Sequence, residues 1–173
     1  MLRYIYALPL RQIIALMLIT IPLWAFGQLR QGRSLRTWQI VNGCLFVLAV
    51  GFIVTTTVVR RTAGAGEINL VPFSSFVQAR TKPELYREML MNVLLFFPLG
   101  LSLSSALPQR MSIGRRIGLT LLAGLVLSLS VEVLQFVFQR GLAETDDLLT
   151  NTFGAALGSS QLLLSRVLRK LKR

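Results

Sequence analysis

The chain has 173 residues, of which 53% are hydrophobic and only 15% charged. Soluble domains carry about 25% charged residues, and this chain is further from them because its apolar residues come in runs long enough to cross a bilayer. The formal net charge is +12, with no His and one Cys. That excludes an internal disulfide and argues against a zinc site. The charges sit in short loops between apolar runs, which is how membrane proteins set orientation and is not a nucleic-acid footprint.

Five spans are expected, in an all-α polytopic transmembrane bundle. The first covers about 10–28, with Arg11 at its edge and Pro22 inside. Ala25-Phe26-Gly27 is a poor signal-peptide cleavage site, so this span is expected to remain uncleaved. The second is Ile40–Val59, containing the single Cys44. An outer loop, 60–87, follows. Its Gly/Ala-rich first part reads as a linker. Its second part, Ile68–Val77, is too apolar for a free loop, and is expected at the membrane interface or folded back into the bundle. Thr81-Lys82-Pro83-Glu84 has the form of a capping box and leads into the third span, about 88–107, where Pro98 and Gly100 predict a kink. The fourth span is Ile117–Phe138, closed by Arg140-Gly141 as a cation and a C′ glycine. The fifth, about 147–165, opens with Asp146 and Asp147 at the positive end of its helix dipole.

Loop 30–36 carries three Arg, loop 108–116 three more, and the tail 166–173 five basic residues, and none of these segments holds an acid. On the positive-inside rule they face the cytoplasm. The C-terminus is then cytoplasmic, the N-terminus outside, and the protein multi-pass in the plasma membrane. Arg60 and Arg61 run mildly against this pattern. The bilayer itself is a partner, with anionic lipids at the basic tail.

Glu132 stands out, because it lies inside the fourth apolar run. A carboxylate at bilayer depth costs at least about 2.5–3.5 kcal/mol, so such residues line a protein interior or a wet cavity. At 1.5 Å of rise per residue, Glu132 is roughly 9 Å below the outer end of its span, Gln135 roughly 4–5 Å, and Asn92 and Asn151 roughly 6 Å. Three helices thus bring polar side chains to one layer, with Asn69, Arg140, Asp146 and Asp147 above it. Ser128, Glu132 and Gln135 share one helix stripe, and Asp147, Asn151, Gly154 and Gly158 share another. Gly154 and Gly158 form a small-xxx-small packing motif. The simplest assembly lays that stripe on the fourth span, with Asn151 near Glu132. Taken singly, Asn92 and Asn151 are equally well explained as interhelical glue, and Asp146 and Asp147 as helix-start acids.

Four segments together resemble the VanZ family, named for a glycopeptide (teicoplanin) resistance protein. They are Asn69-Leu-Val-Pro-Phe73, Asn92-Val-Leu-Leu-Phe-Phe-Pro-Leu-Gly100, Ser128-x3-Glu132-x2-Gln135 followed by Arg140, and Asp146-Asp147-x3-Asn151-x2-Gly154-x3-Gly158. One mild departure lies in the acid-x-Asp-Asp approach to the last helix that the family often shows, where the first acid here is Glu144. On this division, residues 1–60 are two spans without a motif, 61–165 form the family-like domain, and 166–173 are a basic tail. The resemblance implies a bacterial membrane protein of the cell envelope, linked in some members to antibiotic resistance, without a fixed activity or cofactor. The polar layer is then expected to bind a lipid-linked wall precursor or another membrane protein through Asn69, Asn92, Glu132, Gln135, Arg140, Asp146, Asp147 and Asn151. The alternatives are an intramembrane hydrolase or transferase acting on a lipid headgroup, with Glu132 and Asp147 as the acid–base candidates, and an ion-coupled transporter. No metal is expected.

Overall fold

The computed structural model describes residues 10–29, 35–59 and 67–171. Arg30 and Arg33 of the first basic cluster, the linker 60–66 and the last two residues of the tail lie outside that set. Helix α1 is Leu10–Leu29. Helix α2 is Leu35–Val54 and passes into a π-helical turn at Thr55–Val59. Next come a two-residue strand β1 (Ile68–Asn69), a short helix α3 (Ser74–Gln78) and a long helix α4 (Glu84–Ala106). Helix α5 (Ile113–Val137), strand β2 (Ala143–Glu144), helix α6 (Thr145–Ser159) and helix α7 (Gln161–Leu171) complete the order.

The protein is an all-α membrane bundle. Three helices are long and apolar enough to cross a membrane, Arg36–Val59, Glu84–Ala106 and Ile113–Val137, and Leu10–Phe26 is a shorter apolar helix. Helix α4 is the centre: 61% of its apolar window is buried, against 28% for each of the other two. Leu95, Phe96 and Leu99 of α4 are fully buried, packed with Ile13 of α1, Ala49 and Ile53 of α2, Val131 of α5 and Ala155 of α6. Pro98 is accommodated inside α4 without ending it.

The last segment departs from the expected continuous span. Helix α6 has 15 residues, then the chain turns at Ser160 and α7 begins. At 1.5 Å per residue α6 is about 22 Å long, short of a bilayer core of about 30 Å. The glycine stripe also faces a different neighbour from the one expected. A Cβ at Gly154 would run into the Val93 carbonyl, and one at Gly158 into the Phe97 carbonyl. Both partners are on α4, not on the fourth span. Gly100 of α4 answers from the other side, where a Cβ would meet the backbone of Ala155. Small residues on both helices let the two backbones touch.

The Thr81–Glu84 capping box does not form. The Thr81 hydroxyl donates instead to the Gln78 carbonyl at 3.0 Å, and Pro83 precedes the first residue of α4 with no side-chain cap. The chain arrives in a helical conformation from α3, so the extended N-cap geometry that the box needs is missing. The apolar half of the outer loop does fold back. Ile68 and Asn69 pair in parallel with Ala143 and Glu144. Ser75 and Ala79 are buried, while Leu70, Val71, Phe73 and Val77 stay exposed. This pairing marks one end of the bundle, the β-paired end.

Candidate functional site

At the β-paired end, five elements converge: the π-helical turn, the β1–α3 loop, the start of α4, the end of α5 and the start of α6. Asp146 sits in the first turn of α6 and is 1% exposed, yet it caps nothing in its own helix. Its Oδ1 accepts from the Phe73 backbone N–H at 2.6 Å and its Oδ2 from the Ser75 N–H at 2.7 Å. The carboxylate lies at the start of α3, holding the orphan amides of that short helix. Phe73 takes φ 61, in the left-handed region, to bring its amide round. Asn69 completes the strap. Its Oδ1 accepts from Val71 N–H at 3.2 Å, and its Nδ2 donates to Ser74 Oγ at 2.8 Å and Glu144 Oε1 at 3.4 Å. Asn69 and Asp146 thus position the loop that roofs this end.

Beneath the strap lie the other polar residues, and three hydrogen bonds among them join the elements in pairs. Asn92 of α4 donates from Nδ2 to Asp147 Oδ1 at 2.7 Å, joining α4 to α6. Asn151 of α6 donates from Nδ2 to Ser128 Oγ at 2.9 Å, joining α6 to α5 one helical turn from Glu132. Glu132 is buried and its Oε2 accepts from the Glu144 backbone N–H at 3.0 Å, tying α5 to the β2 strand. Asn92, Asn151 and Gln135 are buried as well.

Gln135 and Arg140 reach elsewhere. Gln135 Nε2 donates to the Thr57 carbonyl at 3.0 Å, and Arg140 Nη1 to the Val59 carbonyl at 3.0 Å. Both acceptors belong to the π-helical turn that ends the second span, where carbonyls lack helical partners. Arg140 also stands as a cation near that helix's negative end. Its backbone N–H bonds the Gln135 carbonyl at 2.7 Å. The left-handed residue of this helix end is Gln139 (φ 51), two residues before Gly141 (φ 111).

Two amide oxygens in this layer are buried with no hydrogen bond among the described residues, Gln135 Oε1 and Asn151 Oδ1, and of these the Asn151 oxygen would be served by the Ser128 hydroxyl if the amide turned over. The orientation of the Gln135 amide is fixed, because a backbone carbonyl can only accept and so must face the NH2 group. Its oxygen therefore points elsewhere, in a residue 2% exposed. A buried polar atom left without a partner costs about 1–3 kcal/mol. Such atoms in a layer that also holds the Glu132 and Asp147 carboxylates make it rich in acceptors.

The sequence reading passed over a second polar cluster, at the opposite end of the bundle. Arg116, near the start of α5, is buried and donates from Nε at 3.0 Å and from Nη2 to the Ser104 carbonyl at the end of α4. Gln161 donates from Nε2 to Ser104 Oγ at 3.2 Å and Ser105 Oγ at 3.0 Å, while its Oε1 accepts from Trp24 Nε1 at 2.9 Å. Arg116 was counted with the topology-setting arginines. Its place four residues after the Ser112 N-cap, inside the first turns of α5 and directly before the apolar run, is the available signal.

A family model described as VanZ/LLP1 matches residues 13–168. Among curated proteins, "Protein VanZ" of Enterococcus faecium is 37% identical over 91 residues, which is 53% of this chain and 49% of that protein. The match thus spans about half the length of the curated relative. No solved structure matches the chain.

Proposed function

The chain belongs to the VanZ/LLP1 family, and on that premise we propose that its polar layer binds the head of a lipid-linked cell-envelope ligand from the outer face of the membrane. The observation that carries this is the Gln135 amide oxygen, buried with no hydrogen bond among the described residues while its nitrogen is held by the Thr57 carbonyl. A ligand with hydroxyl or amide N–H groups, as a glycan or peptide head has, supplies the donor it needs. Glu132 adds a charged acceptor one helical turn from Gln135. Asp147, held by Asn92, adds another. Arg140 stands at the rim, where a phosphate would meet it with the bidentate geometry that suits guanidinium.

The Asn69–Asp146 strap is the roof of this site and sets access to it. A changed response to glycopeptides would follow from altered exposure of wall precursors. The test is rescue of a deletion strain by wild type, Glu132→Gln, Asp147→Asn and Gln135→Leu. Teicoplanin susceptibility and binding of a fluorescent glycopeptide to cells are scored, with membrane abundance checked by blot. The variants are expected at wild-type abundance and without rescue. Full rescue by all three would falsify the reading.

A further inference from the structure

The roofing loop does more than cover the polar layer. Where α3 leans toward α4 and α6 it leaves a groove of about 340 Å3, within the range of about 300–1,000 Å3 typical of ligand pockets. Its walls are Phe73 and Phe76 on the α3 side, Tyr86 and Leu90 on α4, and Leu149 and Phe153 on α6. All six are exposed to the surroundings of the bundle. Thr150 on the floor turns its hydroxyl away, donating to the Asp146 and Asp147 carbonyls. The lining is therefore apolar in effect.

This groove is built, not left over. The Asp146 carboxylate fixes the Phe73 and Ser75 amides, and the Phe73 and Phe76 rings stand 6.0 Å apart in a tilted pair. The backbone that carries the aromatic wall is thus tied to the start of α6. The turn that links the two walls, together with the first turn of α4, carries Arg80, Lys82 and Arg87, all exposed, whereas the neighbouring acids Glu84 and Glu88 are half-buried. A second groove, about 370 Å3 between α2, α4 and α5, is lined by residues such as Val47, Val126 and Ser130; neither lining contains a charged side chain, so it is the cations of the α3–α4 turn that set the first apart.

We propose that the α3–α4–α6 groove holds one acyl chain of an anionic phospholipid, whose head group lies against the cations of the α3–α4 turn. In a bilayer an acyl chain gains nothing from apolar contact alone, since neighbouring lipid tails are just as apolar. Retention must come from shape on the tail and charge on the head, and this groove offers both. The proposal is independent of what the polar layer binds, and needs no ligand at Glu132.

The experiment uses purified full-length protein in lipid nanodiscs containing a phosphatidylglycerol with a diazirine at the end of one chain. A matched phosphatidylcholine probe serves as comparison. Photolysis and peptide mapping are expected to place label on the Phe76, Leu90 and Phe153 segments, more from phosphatidylglycerol. Leu90→Trp, at an exposed position that tolerates a larger side chain, fills the groove and cuts this labelling by roughly fivefold or more, while Val47→Trp in the other groove leaves it unchanged. Phe76→Ala, which removes part of the wall without overpacking, lowers it as well. Arg80→Glu with Lys82→Glu brings phosphatidylglycerol labelling down to the phosphatidylcholine level. Label spread evenly over the lipid-facing helices, or undiminished by Leu90→Trp, overturns the groove. Equal labelling by the two probes on wild type overturns the anionic head group. Because the readout is labelling and not rescue, it stands or falls separately from the function assigned to the polar layer.

Discussion

Two buried glutamines, one at each end of the bundle, do different things with the same amide. Gln161 uses both ends of it: the nitrogen donates to Ser104 and Ser105, and the oxygen accepts from Trp24. Gln135 uses only the nitrogen, on the Thr57 carbonyl, and its oxygen is buried with no hydrogen bond among the described residues. Around Gln161 the neighbours are hydroxyls, an indole and the Arg116 guanidinium, so donors and acceptors are matched. Around Gln135 the bonded neighbour is a backbone carbonyl, which can only accept, and Glu132 lies one turn away on the same helix stripe. A matched polar cluster in a membrane bundle ties helices together. A mismatched one is costly unless something else completes it. The first end reads as fastening, the second as a site.

Both ends hang on the contact between them, so the harshest way to break the comparison is to separate α4 from α6. Gly158→Leu drives a side chain into the Phe97 carbonyl and the backbone around Gly100, where no rotamer change can relieve it. Overpacking costs about 1–3 kcal/mol when side chains yield, and more when backbone must. We expect loss of the folded protein from the membrane fraction, with Gly154→Leu alike. A well-folded Gly158→Leu protein, seen as a normal thermal transition in detergent, would mean the two helices do not meet through their glycines.

Asp146→Ala tests whether the roof belongs to the site end. It strips acceptors from the Phe73 and Ser75 amides, and the loss of hydrogen bonds to a buried charge is worth about 1.5–3 kcal/mol each before relaxation. Faster amide exchange confined to residues 70–79, with the opposite end unaffected, is the expected pattern. Protection equal to wild type would show that the strand pair holds the loop unaided.

Glu132 as the polar residue of a buried stripe was legible, because helical periodicity names a face and bilayer physics prices a carboxylate. The shared depth of Asn92, Glu132 and Asn151 was legible too, from helical rise. The partners were not. Periodicity says that Gly154 and Gly158 lie on one face, but not which helix meets it. Asp146 and the Phe73 amide are 73 positions apart, and nothing local to either announces the other; Asp146 at a helix start reads equally as a helix-start acid. Gln135 and Arg140 look like members of the layer from their own helix, and only the packing of α2 beside α5 reveals that they cap the π-helical turn. The Thr81–Glu84 box had the right letters in a chain that enters α4 from the wrong conformation.

At the fastening end, Gln161→Leu leaves the Trp24 indole N–H without its acceptor. Trp24 is half-buried, so this loss lies at the low end of the range of about 1–3 kcal/mol for an unsatisfied donor, and the Ser104 and Ser105 hydroxyls lose their amide partner as well. The apparent Tm should fall by several degrees, while rescue in cells stays at wild-type level. Loss of rescue by a stably folded Gln161→Leu protein would erase the distinction between the two ends.

The sharpest test is the matching change at the other end. Gln135→Leu removes one hydrogen bond, to the Thr57 carbonyl, and at the same time removes the unpartnered oxygen. The first loss leaves the buried Thr57 carbonyl without its donor, at about 1–3 kcal/mol, and the second relieves the same kind of cost by putting an apolar group in place of an unsatisfied polar one. The net change in stability should therefore be small, and smaller than for Gln161→Leu, although both positions are buried glutamines within spans or at their ends. Function should move the other way, with rescue lost at Gln135 and kept at Gln161. Thermal unfolding in detergent reads the first ordering and the deletion strain the second. If Gln135→Leu proves as destabilising as Gln161→Leu and still rescues, its oxygen has a structural partner and the acceptor-rich layer is ordinary glue.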